Sequence, residues 1–236
     1  MKILQRSLAL LLTVAAVLSV QAQTVDEIIG KHLDAIGGND KIAQIKSLYA
    51  ESTVQAMGNE SPSTTTILNG KGYKMESEAN GQKMVQCYTD KGGWSINPFS
   101  GGTDPQELPA EIYKANEDQI FIGGPFVNYA AKGNKMELQG KEEGAYKIKV
   151  TNKDGAESVY YIDPSTYYIT KQVQKGNMMG QEMEITRTYS DYRKTDAGYV
   201  MPYNVDISYG GQFNITASVK KVVVNKDVDP KIFEMH

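Results

Sequence analysis

Apolar residues keep two different periods along this chain, and the change from one to the other divides it. Val25, Ile28, Ile29, Leu33 and Ile36 recur at three- and four-residue spacing, which predicts one amphipathic helix. Thr24 and Glu27 form a capping box at its start: a hydroxyl serves the unpaired amides of the first turn, and a carboxylate three residues on reaches back. Gly37-Gly38 ends the helix, because glycine takes the left-handed conformation that a helix C-terminus favours. Asn39 can cap a second, short helix through Ile42 and Ile45. His32 lies beside the stripe and reads as a surface or boundary residue, not a ligand.

From Leu48 onward the period is two. Leu48, Ala50, Ser52, Val54 and Ala56 alternate with more polar neighbours, and so do Tyr73, Met75, Ser77 and Ala79. Lys83 to Asp90 is strand-like, and Asn80-Gly81 joins it to the preceding run as a tight hairpin. Asp90-Lys91-Gly92-Gly93 turns the chain into Trp94 to Phe99. In the second half, Tyr146 to Val150, Ser158 to Ile162, Tyr167 to Lys175 and Met183 to Tyr189 read as strands. Val205 to Tyr209 and Phe213 to Val219 follow, joined by Gly210-Gly211. Phe233 is placed to anchor the C-terminal tail. The expected architecture is mainly β with some α: about eleven antiparallel strands in one domain, on turn spacing. No repeat and no linker divides the chain.

Residues 100–134 break the pattern. Pro109 to Asp118 can form a short helix, and Ile120 to Val127 is apolar, irregular and interrupted by Gly123-Gly124-Pro125. An apolar connection inside a β domain must bury its side chains. It is either a plug in the core or a lid over a concavity, and its composition fits both.

The N-terminus carries an address. Lys2 and Arg6 precede the apolar run Leu8 to Leu18, and Val20 and Ala22 fit a small-residue cleavage site. The run is too short for a membrane span, which needs roughly 20 apolar residues. Residues 1–22 are thus expected to be a removed signal peptide, leaving 23–236 as a single exported domain. Gln23, not cysteine, follows the cleavage site, so no lipid anchor is expected. The net charge of −3 becomes −5 without Lys2 and Arg6, a balance that disfavours nucleic acid and anionic lipid surfaces.

Catalytic signatures are absent from the sequence. There is no HExxH, no G-x-S-x-G and no glycine-rich phosphate loop. The single cysteine, Cys87, falls in a strand-like run and reads as a small buried hydrophobe. Glu76, Glu78, Glu182 and Glu184 fall on solvent-facing registers, so a hydrolytic carboxylate pair would have to be assembled elsewhere. No cofactor, no metal and no enzymatic activity are expected. Tyrosine is over-represented, with 15 Tyr against 5 Phe and 1 Trp, which suits half-covered β surfaces. Arg187 stands out because it occupies the apolar register of its strand, where it either pairs with a carboxylate at a rim or snorkels.

Several segments together resemble a known family. They are Asp26-Glu27-Ile28-Ile29 through Ile36-Gly37-Gly38, Gly93 to Phe99, Tyr161-Ile162-Asp163-Pro164-Ser165-Thr166, Gly180-Gln181-Glu182 leading to Tyr189 to Tyr192, and Val224 to Phe233. In order and spacing the chain is similar to the periplasmic lipoprotein carriers of the LolA/LolB superfamily. The resemblance implies a strongly curved, unclosed half-barrel with helices over its concave face, which in the family holds acyl chains. It implies a soluble periplasmic monomer that carries lipoprotein acyl chains or a related lipid toward the outer membrane. It further implies an inner-membrane donor and an outer-membrane acceptor as partners. The alternative is an envelope lipid sensor or protein-interaction module of the same fold. The family's soluble carriers latch the lid with an arginine from an early strand, and this sequence has none between Arg6 and Arg187.

On this reading Pro109 to Tyr129 is the lid, with Gly123 and Gly124 as its hinge. Phe121, Ile122, Phe126, Val127 and Tyr129 would occupy the cavity or its mouth, and Trp94, Met75 and Met84 would line its wall.

Overall fold

The computed structural model describes residues 23–79, 81–98, 102–178 and 181–236. The signal-peptide reading of residues 1–22 lies outside them, as do Asn80, Phe99 and Gly180. Helix α1 (Val25–Ala35) opens with the capping box, Thr24 accepting from the Glu27 amide and Glu27 from the Thr24 amide. Its stripe buries Ile28, Ile29 and Leu33. His32 is buried with them, not at the boundary: its neighbours on either side of the stripe are themselves covered. A short helix α2 (Asn39–Gln44) follows after Gly37 and Gly38, both at positive φ.

Among the described residues most of the remainder is one antiparallel sheet of thirteen strands. In chain order these are β1 (Ser47–Ala56), β2 (Asn59–Leu68), β3 (Gly72–Ala79), β4 (Gln82–Thr89), β5 (Gly93–Ile96) and β6 (Gln106–Glu107). After helix α3 (Ala110–Asn116) come β7 (Lys135–Glu142), β8 (Ala145–Thr151), β9 (Glu157–Ile162), β10 (Ile169–Met178), β11 (Gln181–Lys194), β12 (Val200–Tyr209) and β13 (Phe213–Val224). The spatial order is β6-β5-β4-β3-β2-β1-β13-β12-β11-β10-β9-β8-β7, so each half is a meander and only the β1–β13 pairing joins them. The edge strands β6 and β7 do not meet, and the sheet is curled but unclosed. Register shifts in β13 opposite Glu51/Ser52, in β10 after Ile169 and in β7 after Leu138 bend those strands.

The inner face carries two buried clusters. The first packs α1, α2 and Phe126 on Ile148, Val150, Tyr160 and Ile162 of β8 and β9. The second packs Ile45 and Ile122 on Leu48 and Ala50 of β1, with Ile67, Met201, Val219, Val222 and Val224 partly buried around them. A third cluster lies on the outer face, where Val85, Cys87 and Trp94 are covered by Phe233. Phe233 comes from a 3-10 turn, Pro230–Phe233, that closes the chain. It fits there because Gly72 has no side chain: a Cβ at that position would lie 2.5 Å from the Phe233 ring.

Candidate functional site: the inner face and its strap

The curl brings distant strands face to face. Alternation places Tyr73 and Met75 of β3 and Met84, Gln86 and Tyr88 of β4 on the inner face, paired across as Tyr73 with Tyr88 and Met75 with Gln86. From the other half, one inner-face row reads Tyr160, Gln172, Arg187, Ile207, Ile215 and Ala56 across successive strands. Arg187 exerts an electrostatic pull on the Tyr73, Tyr88, Tyr160 and Tyr189 hydroxyls. In the sheet, β3 and β11 are separated by β2, β1, β13 and β12. Side chains so far apart along the sheet can interact only across a concavity.

Tyr73 and Tyr189 show the character of that space. Both keep some accessible surface, yet burial pushes both hydroxyls above the usual phenol range. A group that is reachable and also desolvated sits in a recess, not on a convex surface. The same recess holds a chain of polar contacts. Tyr189 donates to Gln172 at 2.8 Å, Gln172 to Gln174 at 3.1 Å, and Gln174 to Asn116 at 3.5 Å. Gln86 donates to the Tyr88 hydroxyl at 2.6 Å.

Away from these groups the inner face is apolar and thinly covered. Val54, Ile185, Val205, Ile207, Ile215 and Ala217 are all half-buried, and none belongs to any of the three clusters. The inner end is thus polar and the floor over β11, β12, β13 and β1 is greasy.

The stretch after β6 divides into two parts. Residues 110–120 form a strap from one side of the curl to the other. Tyr113 donates to the Thr89 carbonyl at 3.0 Å on the β4 side. On the far side Asn116 meets Gln174, Asn152 donates to the Lys114 carbonyl at 2.6 Å, and Lys153 pairs with Glu117 at 2.8 Å. Residues 121–129 are packed more firmly. Ile122 and Phe126 are fully buried in the two inner clusters, and Phe126 meets the His32 ring edge-on at 5.4 Å. Phe121 is half-buried against Gly70, beneath the Lys132 ammonium at 4.3 Å. Val127 abuts Gly123, and the Tyr129 hydroxyl donates to the Asp26 carboxylate of α1. Gly123 sits at φ +87°, where a Cβ would come within 2.6 Å of Val127, so the position requires glycine.

The wall residues expected from the sequence separate. Met75 and Met84 share the inner face with Tyr73 and Tyr88. Trp94 pairs with Cys87 on the outer face, where its indole donates to the Phe233 carbonyl at 2.8 Å, so it does not face the concavity. Two open recesses lie elsewhere. One of about 430 Å³ runs between α1 and residues 126–131, and one of about 340 Å³ lies over β2, β3 and β4.

Neither Cys87 nor His32 is poised for chemistry. Burial pushes the Cys87 thiol up to about 12. His32 Nδ1 donates to the Tyr167 carbonyl at 2.8 Å, and burial lowers its pKa from 6.5 to about 4, holding the ring neutral.

No family model and no curated protein matches the sequence. Solved structures match the fold. A LolA superfamily protein from Nitrosomonas europaea superposes with a TM-score of 0.57 at 11% identity, over 90% of this chain and 98% of that one. A putative outer membrane lipoprotein-sorting protein domain from Vibrio parahaemolyticus gives 0.55 at 13%, over 88% and 95%. The chain has a LolA-like fold. A DUF1329 family protein from Desulfovibrio piger shares it, with a TM-score of 0.52 at 11% identity over 89% and 97%. In this LolA-like sheet the early strands present no arginine to the strap, and the inward-facing arginine comes from β11. No described helix is long and apolar enough to cross a membrane.

Proposed function

We propose that this protein is a periplasmic carrier that holds an acyl chain against the inner face of its curled sheet, beneath the strap formed by residues 110–120. The observation that carries this reading is the half-buried apolar floor: Val54, Ile185, Val205, Ile207, Ile215 and Ala217 face inward and belong to none of the three buried clusters. A soluble protein that leaves a concave apolar face thinly covered has a use for it. Burial of a hydrocarbon chain releases about 0.8 kcal/mol per CH₂, so a chain of about sixteen carbons offers on the order of 10 kcal/mol before ordering costs. The LolA-like fold and the lipoprotein-sorting name of the Vibrio neighbour agree with such a cargo. On this reading the chain is exported by residues 1–22, works as a monomer, and receives its cargo from one membrane partner and yields it to another.

Ile122 and Phe126, buried on either side of Gly123-Gly124, fix the base from which residues 110–120 extend. Holding, not catalysis, is the activity, since the one thiol is buried and the inner histidine is locked neutral. The test is titration of the delipidated protein with a fluorescent acyl probe. Ile207→Asp on the inner face is expected to weaken binding by tenfold or more, because it sets a carboxylate on the apolar floor. Asn214→Asp on the outer face is the control and is expected to leave binding unchanged. Equal affinity in both variants and wild type would remove the reading.

A further inference from the structure

Arg187 is half-buried, and one of its guanidinium nitrogens has no partner among the described residues. Its Nη1 is shut off from solvent and makes no hydrogen bond, and among the described residues no carboxylate lies within ion-pair distance of its guanidinium. It does not pair with a described carboxylate at a rim, one of the two outcomes its strand register allowed. The acids of the strap are already engaged: Glu117 by Lys153 and Asn152, Asp118 by Lys132 and Asn134. Its neighbours do not neutralise it either. The adjacent inner-face residues are Gln172 and Ile207, and the groups that feel its charge include the hydroxyls of Tyr73, Tyr88, Tyr160 and Tyr189. The Tyr88 hydroxyl accepts from Gln86 and donates to no described residue. The inner face therefore carries a fixed positive charge and a spare O–H donor, with no counter-ion among the described residues. A guanidinium nitrogen shut off from water without a partner is costly, and side chains of this kind are retained where a ligand completes them.

Resting on the carrier reading, we propose that Arg187 is the headgroup site of the inner face and binds the acidic head, carboxylate or phosphate, of an amphiphile whose tail lies on Ile207, Ile215 and Ala217. Arg187 and Tyr88 supply the donors, and the planar guanidinium suits either oxyanion. The floor begins at Ile207, next to Arg187 across the β11–β12 pair, so head and tail are addressed by adjoining residues. The protein thus selects an anionic lipid over a neutral one of equal length, which an apolar hollow alone would not do.

The experiment compares cis-parinaric acid with its methyl ester, titrated by fluorescence into delipidated full-length protein at pH 8. Wild type is expected to bind the acid at least tenfold more tightly than the ester, the usual return on a charge-assisted hydrogen bond. Arg187→Met and Arg187→Gln are expected to bring that ratio to one or below while still binding the ester, and Arg187→Lys to keep part of it. A wild-type ratio of one, or a ratio that survives both Arg187→Met and Arg187→Gln, overturns the headgroup site and leaves the carrier reading standing. Failure of wild type to bind either probe overturns both. A third arm adds inorganic phosphate. The acid is expected to stay bound at millimolar phosphate, and its displacement there, with the ester retained, would reassign Arg187 to a free anion and overturn the amphiphile assignment.

Discussion

Removing the titration of His32 should flatten the acid limb of the stability profile. The ring is 2% exposed, Nδ1 is committed to the Tyr167 carbonyl, and Nε2 faces apolar neighbours with no partner. Protonation would bury a cation beside Phe126. The folded-state pKa is therefore lowered, from 6.5 to about 4. Above pH 6.5 the ring is neutral in both folded and unfolded chains, and the full stability is present. As pH falls from 6.5 toward 4 the unfolded chain takes up a proton that the folded one refuses, so stability declines across that window and levels off below it. The gap is worth on the order of 3 kcal/mol in full, and about 2 kcal/mol of it is spent between pH 7 and pH 5. The assay is urea unfolding at both pH values for wild type and His32→Gln, whose amide keeps a donor for Tyr167 and does not titrate. Any change in baseline stability drops out of the difference between pH values. Wild type should lose about 2 kcal/mol more than the variant. Equal losses would show that His32 is free to protonate in the fold and would refute its placement in the core.

Three further outcomes follow from packing. Phe126→Ala should cost about 3–5 kcal/mol in urea unfolding, because a fully buried ring leaves a void between α1 and β9; a cost below 1 kcal/mol would mean that residues 121–129 gate the concavity instead of plugging the core. Gly72→Ala drives a methyl group into the Phe233 ring and should destabilise by about 1–3 kcal/mol, with a red shift of Trp94 emission as the C-terminal turn lifts; unchanged emission would contradict the packing. Cys87 should resist a thiol reagent at pH 8 in the native state and react only as the chain unfolds, so fast native labelling would be inconsistent with its burial.

The helical opening was readable because capping, stripe and glycine stop all coincide within Thr24 to Gly38. Most strands were readable from alternation, and thirteen replaced about eleven for specific reasons. Strand β2 has Ser and Thr on both faces and Pro62 within it, so it shows no period; its pairing with β3 starts at Ser63, which leaves the proline outside that ladder. Strand β7 is a largely exposed edge in which only Met136 and Leu138 pack inward, too short an alternation to stand out. The apolar stretch from Ile120 to Val127 was visible, but whether it plugs or covers depends on where the sheet curls. Local sequence carries no record of that curl. Arg187 illustrates the same limit. Its register placed it inward, whereas its electrostatic reach to Tyr73 and Tyr88 depends on the curl, which alternation does not record. Trp94 was misplaced on the wall because its partner on the outer face, Phe233, lies 139 residues away.

The central claim is that the inner face holds a guest, and photolabelling with a diazirine-bearing fatty acid tests it most directly. Saturable label, located by peptide mass spectrometry, should fall on inner-face positions of β11, β12 and β13 and on Met75 or Met84, and excess unlabelled fatty acid should compete it away. Label confined to the outer face around Trp94 and Phe233, or to the recess between α1 and Ala131, would contradict the account.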